Sequence, residues 1–172
     1  FKPPHKGDFY IVQKMLNYTR DNGLVYIFIS KKPKEPCYHL DAKFSKKVWK
    51  EYIKLLSVEN QKRVKLMISK INSPTQSAYG FVNSVAKKGY MFYLVKSAKD
   101  EENKRFMSIK TINKGAKYKE IIVEKYKTLS SKNMRNFVIT RKKSLFYTYL
   151  PKNLTNYTKL KIWNESKKLC TL

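Results

Sequence analysis

The chain has 172 residues, of which 42% are hydrophobic, and this is enough to build one hydrophobic core. The hydrophobic share excludes a disordered chain, and no apolar run approaches the ~20 residues that cross a bilayer, so we expect no membrane as a partner. The balance of 38 Lys and Arg against 12 Asp and Glu gives a net charge of +26, which disfavours polycationic partners and favours polyanionic ones.

The excess of positive charge has two explanations. A gene rich in A and T would favour lysine over arginine, but it would not by itself make acidic residues scarce. We therefore predict a polyanionic partner, either nucleic acid or a nucleoprotein assembly. The basic residues are spread over the whole chain, which favours general electrostatic attraction over sequence-specific reading.

The two cysteines, Cys37 and Cys170, form no spacing pattern typical of a zinc site or a disulfide framework. We therefore expect two unpaired thiols. Unpaired thiols agree with an intracellular, reducing compartment, and the interior of a large particle such as a virion or a mitochondrial ribosome is one such place.

Helix and strand patterns alternate along the first half of the chain. After the stretch FKPPHKGD, apolar residues recur at helical spacing, and Asp21-Asn22-Gly23 then gives a signal typical of a helix end. The stretch LVYIFIS, residues 24–30, predicts a strand that is buried on both faces. The remaining elements predicted here are a helix from Ser45, a strand over 64–68 and a helix from Ser73-Pro74.

The alternation continues through the second half. The stretch YMFYLV, residues 90–95, predicts a strand, and IIVEKY, residues 121–126, predicts another. A helix is expected through Lys104, Phe106 and Ile109, and two helical segments should follow residue 130. Apolar residues at near-helical spacing in 152–172 predict an amphipathic helix that closes over the sheet, with a partner-docking helix as the alternative.

Alternating strands and helices with short connections predict a mainly parallel sheet. We expect an α/β fold of the Rossmann-like, three-layer α/β/α type over residues 1–151, with 152–172 as a helical extension packed on the same domain. Ligands bind such sheets outside the carboxyl ends of the strands. Because the HKGD stretch can lie there only if a strand leads into it, we expect a first, central strand upstream of Phe1.

The stretch FKPPHKGD resembles the first signature of the nucleotidylyltransferase superfamily, the adenylyl- and cytidylyl-transferases and their relatives. The family pattern is a strand followed by roughly Gly-Arg-Phe-x-Pro-x-His-x-Gly-His. Phe1, Pro3, His5 and Gly7 match this pattern in register, whereas Asp8 stands at the position of the last histidine.

A second stretch, TLSSKNMRNF at residues 128–137, resembles the late signature of the same superfamily, Ile-Ser-Ser/Gly-Thr-x-x-Arg. Leu129, Ser130, Ser131 and Arg135 match it, while Lys132 replaces the threonine. Shorter likenesses, among them LFYTYLP at residues 145–151, lie in the expected order. The resemblance therefore covers roughly residues 1–151.

The resemblance implies transfer of a nucleotidyl group from ATP or CTP, with Mg²⁺, by in-line attack and release of pyrophosphate. In this scheme His5 would donate a hydrogen bond to the reacting phosphate. The residues implied to bind the nucleotide or its phosphates are Pro4, Gly7, Ser130, Ser131, Lys132 and Arg135. Free amide groups at the starts of the two helices would assist them.

Asp8, in the place of the second histidine of the family pattern, lowers the catalytic activity that we expect. A carboxylate in place of a histidine replaces a donor with a negative charge, and the loss of one transition-state donor costs ~10²–10³ in rate. Asp8 could instead serve as a Mg²⁺ ligand, since that ion prefers oxygen.

Two hypotheses about function follow. In the first, the chain is a degenerate family member retained as a basic binding or structural component of a large nucleoprotein assembly, such as a virus particle or an organellar ribosome. In the second, it is an active, Mg²⁺-dependent adenylyl- or cytidylyl-transferase. A pure RNA-binding module is a third reading, but the sequence has no matching motif.

Overall fold

The structure, a computed structural model, describes residues 2–19, 22–71, 73–85, 89–97, 117–123 and 129–171. Within these ranges the chain is a mixed α/β protein with seven helices and four strands. None of the helices in the described ranges is both long enough and apolar enough to cross a membrane.

The first half of the chain follows the predicted order. Its elements are α1 (Lys6–Tyr18), β1 (Val25–Ile29), α2 (Ala42–Ile53), α3 (Val58–Arg63), β2 (Val64–Ile68) and α4 (Pro74–Val85). The helix predicted to begin at Ser45 begins at Ala42 instead, because the Asp41 carboxylate caps it by accepting from the Phe44 N–H at 2.7 Å. The short helix α3, which the sequence analysis did not predict, begins after the N-cap Ser57.

The elements of the second half are β3 (Met91–Ser97), β4 (Lys117–Val123), α5 (Ser131–Ile139), α6 (Lys143–Thr148) and α7 (Asn156–Cys170). The predicted strand at 121–126 begins four residues earlier, at Lys117, and its last predicted residues lie outside the described ranges. The predicted helix through Lys104, Phe106 and Ile109 also lies outside them.

The four strands form two parallel pairs, as the alternation predicts. β1 pairs with β2 from Val25 opposite Val64, and β3 pairs with β4 from Met91 opposite Lys117. The described strands thus make two small sheets, not one continuous sheet. The three-layer α/β/α fold with one mainly parallel sheet and the strand upstream of Phe1 both remain predictions.

Strand β1 is covered on both faces. Val25, Ile27 and Ile29 point into the main core with residues of α1 and α2. Since successive side chains of a strand point to opposite faces, Tyr26 and Phe28 lie on the other side. There they contact Phe81 of α4, with ring centroids 4.4 and 6.0 Å apart.

The C-terminal helix α7 packs on the same core as β1. Ile162 and Trp163 are buried there, and Trp163 contacts Phe146 of α6 edge to face, with centroids 5.3 Å apart. Its N-cap is Thr155, whose hydroxyl accepts from the Thr158 N–H at 3.1 Å. The helix predicted in residues 152–172 is therefore present.

The expectation of two unpaired thiols is wrong. A disulfide joins Cys37, in the loop after β1, to Cys170 at the end of α7, across a sequence separation of 133 residues. Only the packing of α7 onto the core brings the two positions together, so no local spacing could reveal the pair. A disulfide does not fit a reducing compartment well.

Candidate functional site

His5 and Asp8 form a reciprocal cap at the start of α1. The Asp8 N–H donates to Nδ1 of His5 at 3.2 Å, and the His5 N–H donates to Oδ2 of Asp8 at 2.8 Å. A histidine thus takes the place that serine or threonine usually has in a capping box. The two side chains lie 3.4 Å apart and are both nearly buried.

Burial governs the charges of this pair. It lowers the pKa of His5 and raises the pKa of Asp8, in each case against the opposing effect of the partner's charge. Because Nδ1 of neutral His5 accepts a hydrogen bond, its proton lies on Nε2. His5 therefore keeps one N–H that could donate to a phosphate, whereas Asp8 has no such donor while ionised.

Arg135 of α5 reaches back to two loops of the first half of the chain. Its Nη1 donates to the carbonyl of Lys2 at 2.6 Å, and its Nε donates to the carbonyl of Glu35 at 2.5 Å. The side chain is buried, and burial lowers its pKa from the ordinary value. The two resembling stretches therefore meet in space, but Arg135 holds backbone carbonyls there.

Lys2 is a further buried cation that the sequence analysis did not single out. Lys2 is only 3% exposed, and its Nζ donates to the carbonyl of Lys32 at 2.7 Å. Burial lowers the pKa of Lys2 to about 8, although Asp41 acts in the opposite direction. The one available signal was its position inside FKPPHKGD, at a place where the family pattern allows any residue.

The starts of α1 and α5 meet at Tyr149. The Lys6 N–H donates to the Tyr149 carbonyl at 2.7 Å, and Nδ2 of Asn133 donates to the Tyr149 hydroxyl at 3.2 Å. Tyr149 belongs to the stretch LFYTYLP, which resembles a frequent tail of the family. We call the contacts among residues 2–8, Glu35, Arg135 and Tyr149 the signature junction.

The other late-signature residues, Ser130, Ser131 and Lys132, lie at the start of α5. Ser130 is the N-cap of α5, its hydroxyl accepting from the Asn133 N–H at 3.1 Å. Ser131 is the first residue of the helix, and Lys132 is exposed. Of these three residues Lys132 is exposed, whereas Ser130 and Ser131 are half-buried.

Pro4 and Gly7 are both buried in the junction. The carbonyl of Pro4 accepts from the hydroxyl of Tyr52 at 2.8 Å. Tyr52 lies in the main core, and burial raises its pKa well above the ordinary value. The carbonyls of Lys2 and Pro4 are therefore both held by side chains of the protein itself.

Asp8 is the residue of this junction that was named above as a possible Mg²⁺ ligand. The described ranges contain no group of three or more His, Cys, Asp or Glu side chains placed to hold a metal. Asp8 already accepts a hydrogen bond from the His5 N–H through Oδ2 at 2.8 Å. Because Mg²⁺ is usually held by one or two carboxylates together with substrate phosphates, the expected Mg²⁺ stays a prediction.

Comparisons with protein-family models, with curated proteins and with solved structures find no match for this chain. The likeness to the nucleotidylyltransferases therefore rests on the quoted residues and stays a prediction.

Proposed function

We propose that this chain is a nucleotidylyltransferase-like domain of Rossmann-like architecture that has lost turnover. It serves as a basic, polyanion-binding component of a large nucleoprotein assembly, such as a virus particle or an organellar ribosome. The architecture is supported by two parallel strand pairs and by a strand covered on both faces. The family is supported by the contact between its two signatures, through Arg135 and Lys2.

The loss of turnover rests on one observation: the polar groups of the signature junction bind the protein itself. Arg135 donates to two backbone carbonyls, the Lys6 amide donates to Tyr149, and the Asp8 amide donates to His5. A phosphate would have to displace these acceptors, which are buried and costly to leave unpaired. Asp8 adds a carboxyl where the family has a second donor, and this removes transition-state stabilisation.

The role in an assembly rests on charge. A net charge of +26 attracts polyanions, and the positive residues are spread over the chain. A protein embedded among phosphates on several sides needs such a distribution, whereas an enzyme for a small nucleotide needs positive charge mainly at its site.

The test is an assay for pyrophosphate release with ATP and with CTP, in the presence of Mg²⁺ and a mixture of phosphorylated acceptors. We expect no release above background. Turnover that His5→Asn abolishes would overturn the proposal. This variant keeps a side-chain cap on α1, so its loss of activity would not reflect a lost helix start.

The second candidate is an active adenylyl- or cytidylyl-transferase. Two observations favour it: His5 keeps an Nε2–H donor, and the starts of α1 and α5 lie close together at Tyr149, so that both helix dipoles would act on one phosphate. A nucleotide that binds only the folded state stabilises it by about 2.7 kcal/mol at a hundredfold excess over Kd. Thermal unfolding with ATP or CTP, with and without Mg²⁺, would show this shift for an active enzyme and none for the degenerate domain.

A further inference from the structure

A groove outside the signature junction lies along α7, with Lys47 of α2 on its other side. It has a volume of about 640 Å³. A neighbouring depression of about 250 Å³ shares Lys47, Lys161 and Glu165 with it. We call the two together the lysine groove.

The two helices that form the lysine groove are strongly positive. Each carries four lysines and one glutamate. Both glutamates are in ion pairs, Glu165 with Lys47 at 2.6 Å and Glu51 with Lys54 at 2.9 Å. Even in its ion pair the Lys47 side chain is 67% exposed. The groove therefore presents exposed ammonium groups, and the carboxylates within it are already neutralised.

An aromatic ring stands among these charges. Tyr157, in the first turn of α7, lines the groove and is 77% exposed. Leu160 lies beside it and is also exposed. Neither residue contributes to the buried core, so folding does not account for a large ring at this place.

We propose that the lysine groove binds single-stranded nucleic acid. The phosphates of the strand pair with exposed lysines of the groove, chiefly Lys161 and Lys168, and one unpaired base stacks on Tyr157. A positive groove with an exposed aromatic ring is the combination that binds single strands without reading their sequence. A peptide of Asp and Glu alone would use the lysines but has no aromatic group to stack on the ring. The inference rests on the proposed function and adds the place and the form of the nucleic acid.

The experiment measures fluorescence anisotropy of labelled single-stranded RNA and DNA of about ten nucleotides, a length within the usual site sizes. The double variant Lys161→Gln, Lys168→Gln should weaken binding and lower the slope of log K against log salt by about 1.4, at about 0.7 per lost phosphate contact. The matched control is Lys14→Gln, Lys62→Gln, which removes the same charge from exposed positions on α1 and α3.

Tyr157→Ala should weaken binding by about fivefold to a hundredfold, the range for loss of one stacked base. Tyr157→Phe, which keeps the ring, should bind like the wild type. Tyr18→Ala is the control, because Tyr18 is exposed as well but lies at the end of α1.

Each outcome has a separate meaning. If the groove variants bind the oligonucleotide more weakly and the control variants do not, the inference is supported. Equal loss in the groove and control variants overturns it, while the proposed function stands on the binding of the wild type. Failure of the wild type to bind any oligonucleotide at low salt overturns both. Equal binding of poly-glutamate, with no effect of Tyr157→Ala, would replace nucleic acid by an acidic protein as the partner.

Discussion

The signature junction and the lysine groove use positive charge in opposite ways. At the junction, Lys2 and Arg135 are buried and donate to backbone carbonyls. In the groove, Lys47 remains 67% exposed although it is paired with Glu165. The junction cations therefore stabilise the fold, and the groove cations are available to a partner. Arg135, which matches the last position of the late signature, therefore donates to the protein itself.

The disulfide ties these two regions together, and its removal should give the largest loss of stability. It links the loop that supplies the Glu35 carbonyl to the end of α7. A cross-link that closes so long a stretch stabilises by about 4–5 kcal/mol in the chain-entropy account. We expect Cys37→Ser, Cys170→Ser to lower the free energy of unfolding by about this amount, measured by urea unfolding without reductant.

The wild type in reductant is the control for this variant and should match it. If the reduced wild type were as stable as the oxidised protein, the disulfide would carry no stability, and the two regions would be independent.

Arg135→Ala should have the next largest effect, because it leaves the buried carbonyls of Lys2 and Glu35 without donors. Hydrogen bonds from a charged group are worth about 1.5–3 kcal/mol each, and the lower value for each of the two bonds gives an expected loss of about 3 kcal/mol. Lys132→Ala, on the exposed side of the same helix, should change stability by less than about 0.5 kcal/mol. Similar losses in both variants would contradict the structural role of Arg135.

Asp8→Asn separates the charge of the capping box from its hydrogen bond. Burial raises the folded pKa of Asp8 above its unfolded value of 3.8. Its contribution to stability is therefore complete below pH 3.8 and is lost as the pH rises through the folded pKa. Asparagine keeps an oxygen that can accept from the His5 N–H but does not ionise. Relative to Asp8→Asn, the wild type should lose stability as the pH rises, and the variant should be the more stable protein at neutral pH.

This difference is measured by urea unfolding of both proteins from about pH 4 to pH 8. Asp41→Asn, at the exposed N-cap of α2, controls for the loss of a carboxylate at a helix start. A wild type that gained stability with pH relative to Asp8→Asn would show that the folded state favours the ionised carboxylate.

Much of the architecture could be predicted from the sequence, because strands and helices have local periods. β1 lies within the predicted stretch 24–30, and α4 begins at Pro74 with the Ser73 hydroxyl accepting from the Gln76 N–H, as the Ser-Pro pair predicts. The sequence did not predict the contacts between residues that are distant along the chain. The disulfide, the burial of Lys2 and the use of Arg135 as a clamp depend on which loops meet after folding, and no local pattern contains that information.

Substitutions in the lysine groove should have the smallest effect on the free energy of unfolding. They test the contrast between the signature junction and the lysine groove most directly. Lys161 and Lys168 are exposed on α7, so Lys161→Gln, Lys168→Gln should change the free energy of unfolding by less than about 0.5 kcal/mol. Fewer like charges in the groove could even stabilise the fold slightly. Urea unfolding of this variant beside Arg135→Ala makes the comparison. A loss as large as that of Arg135→Ala would mean that the groove lysines also hold the fold, and exposure alone would not mark a surface reserved for a partner.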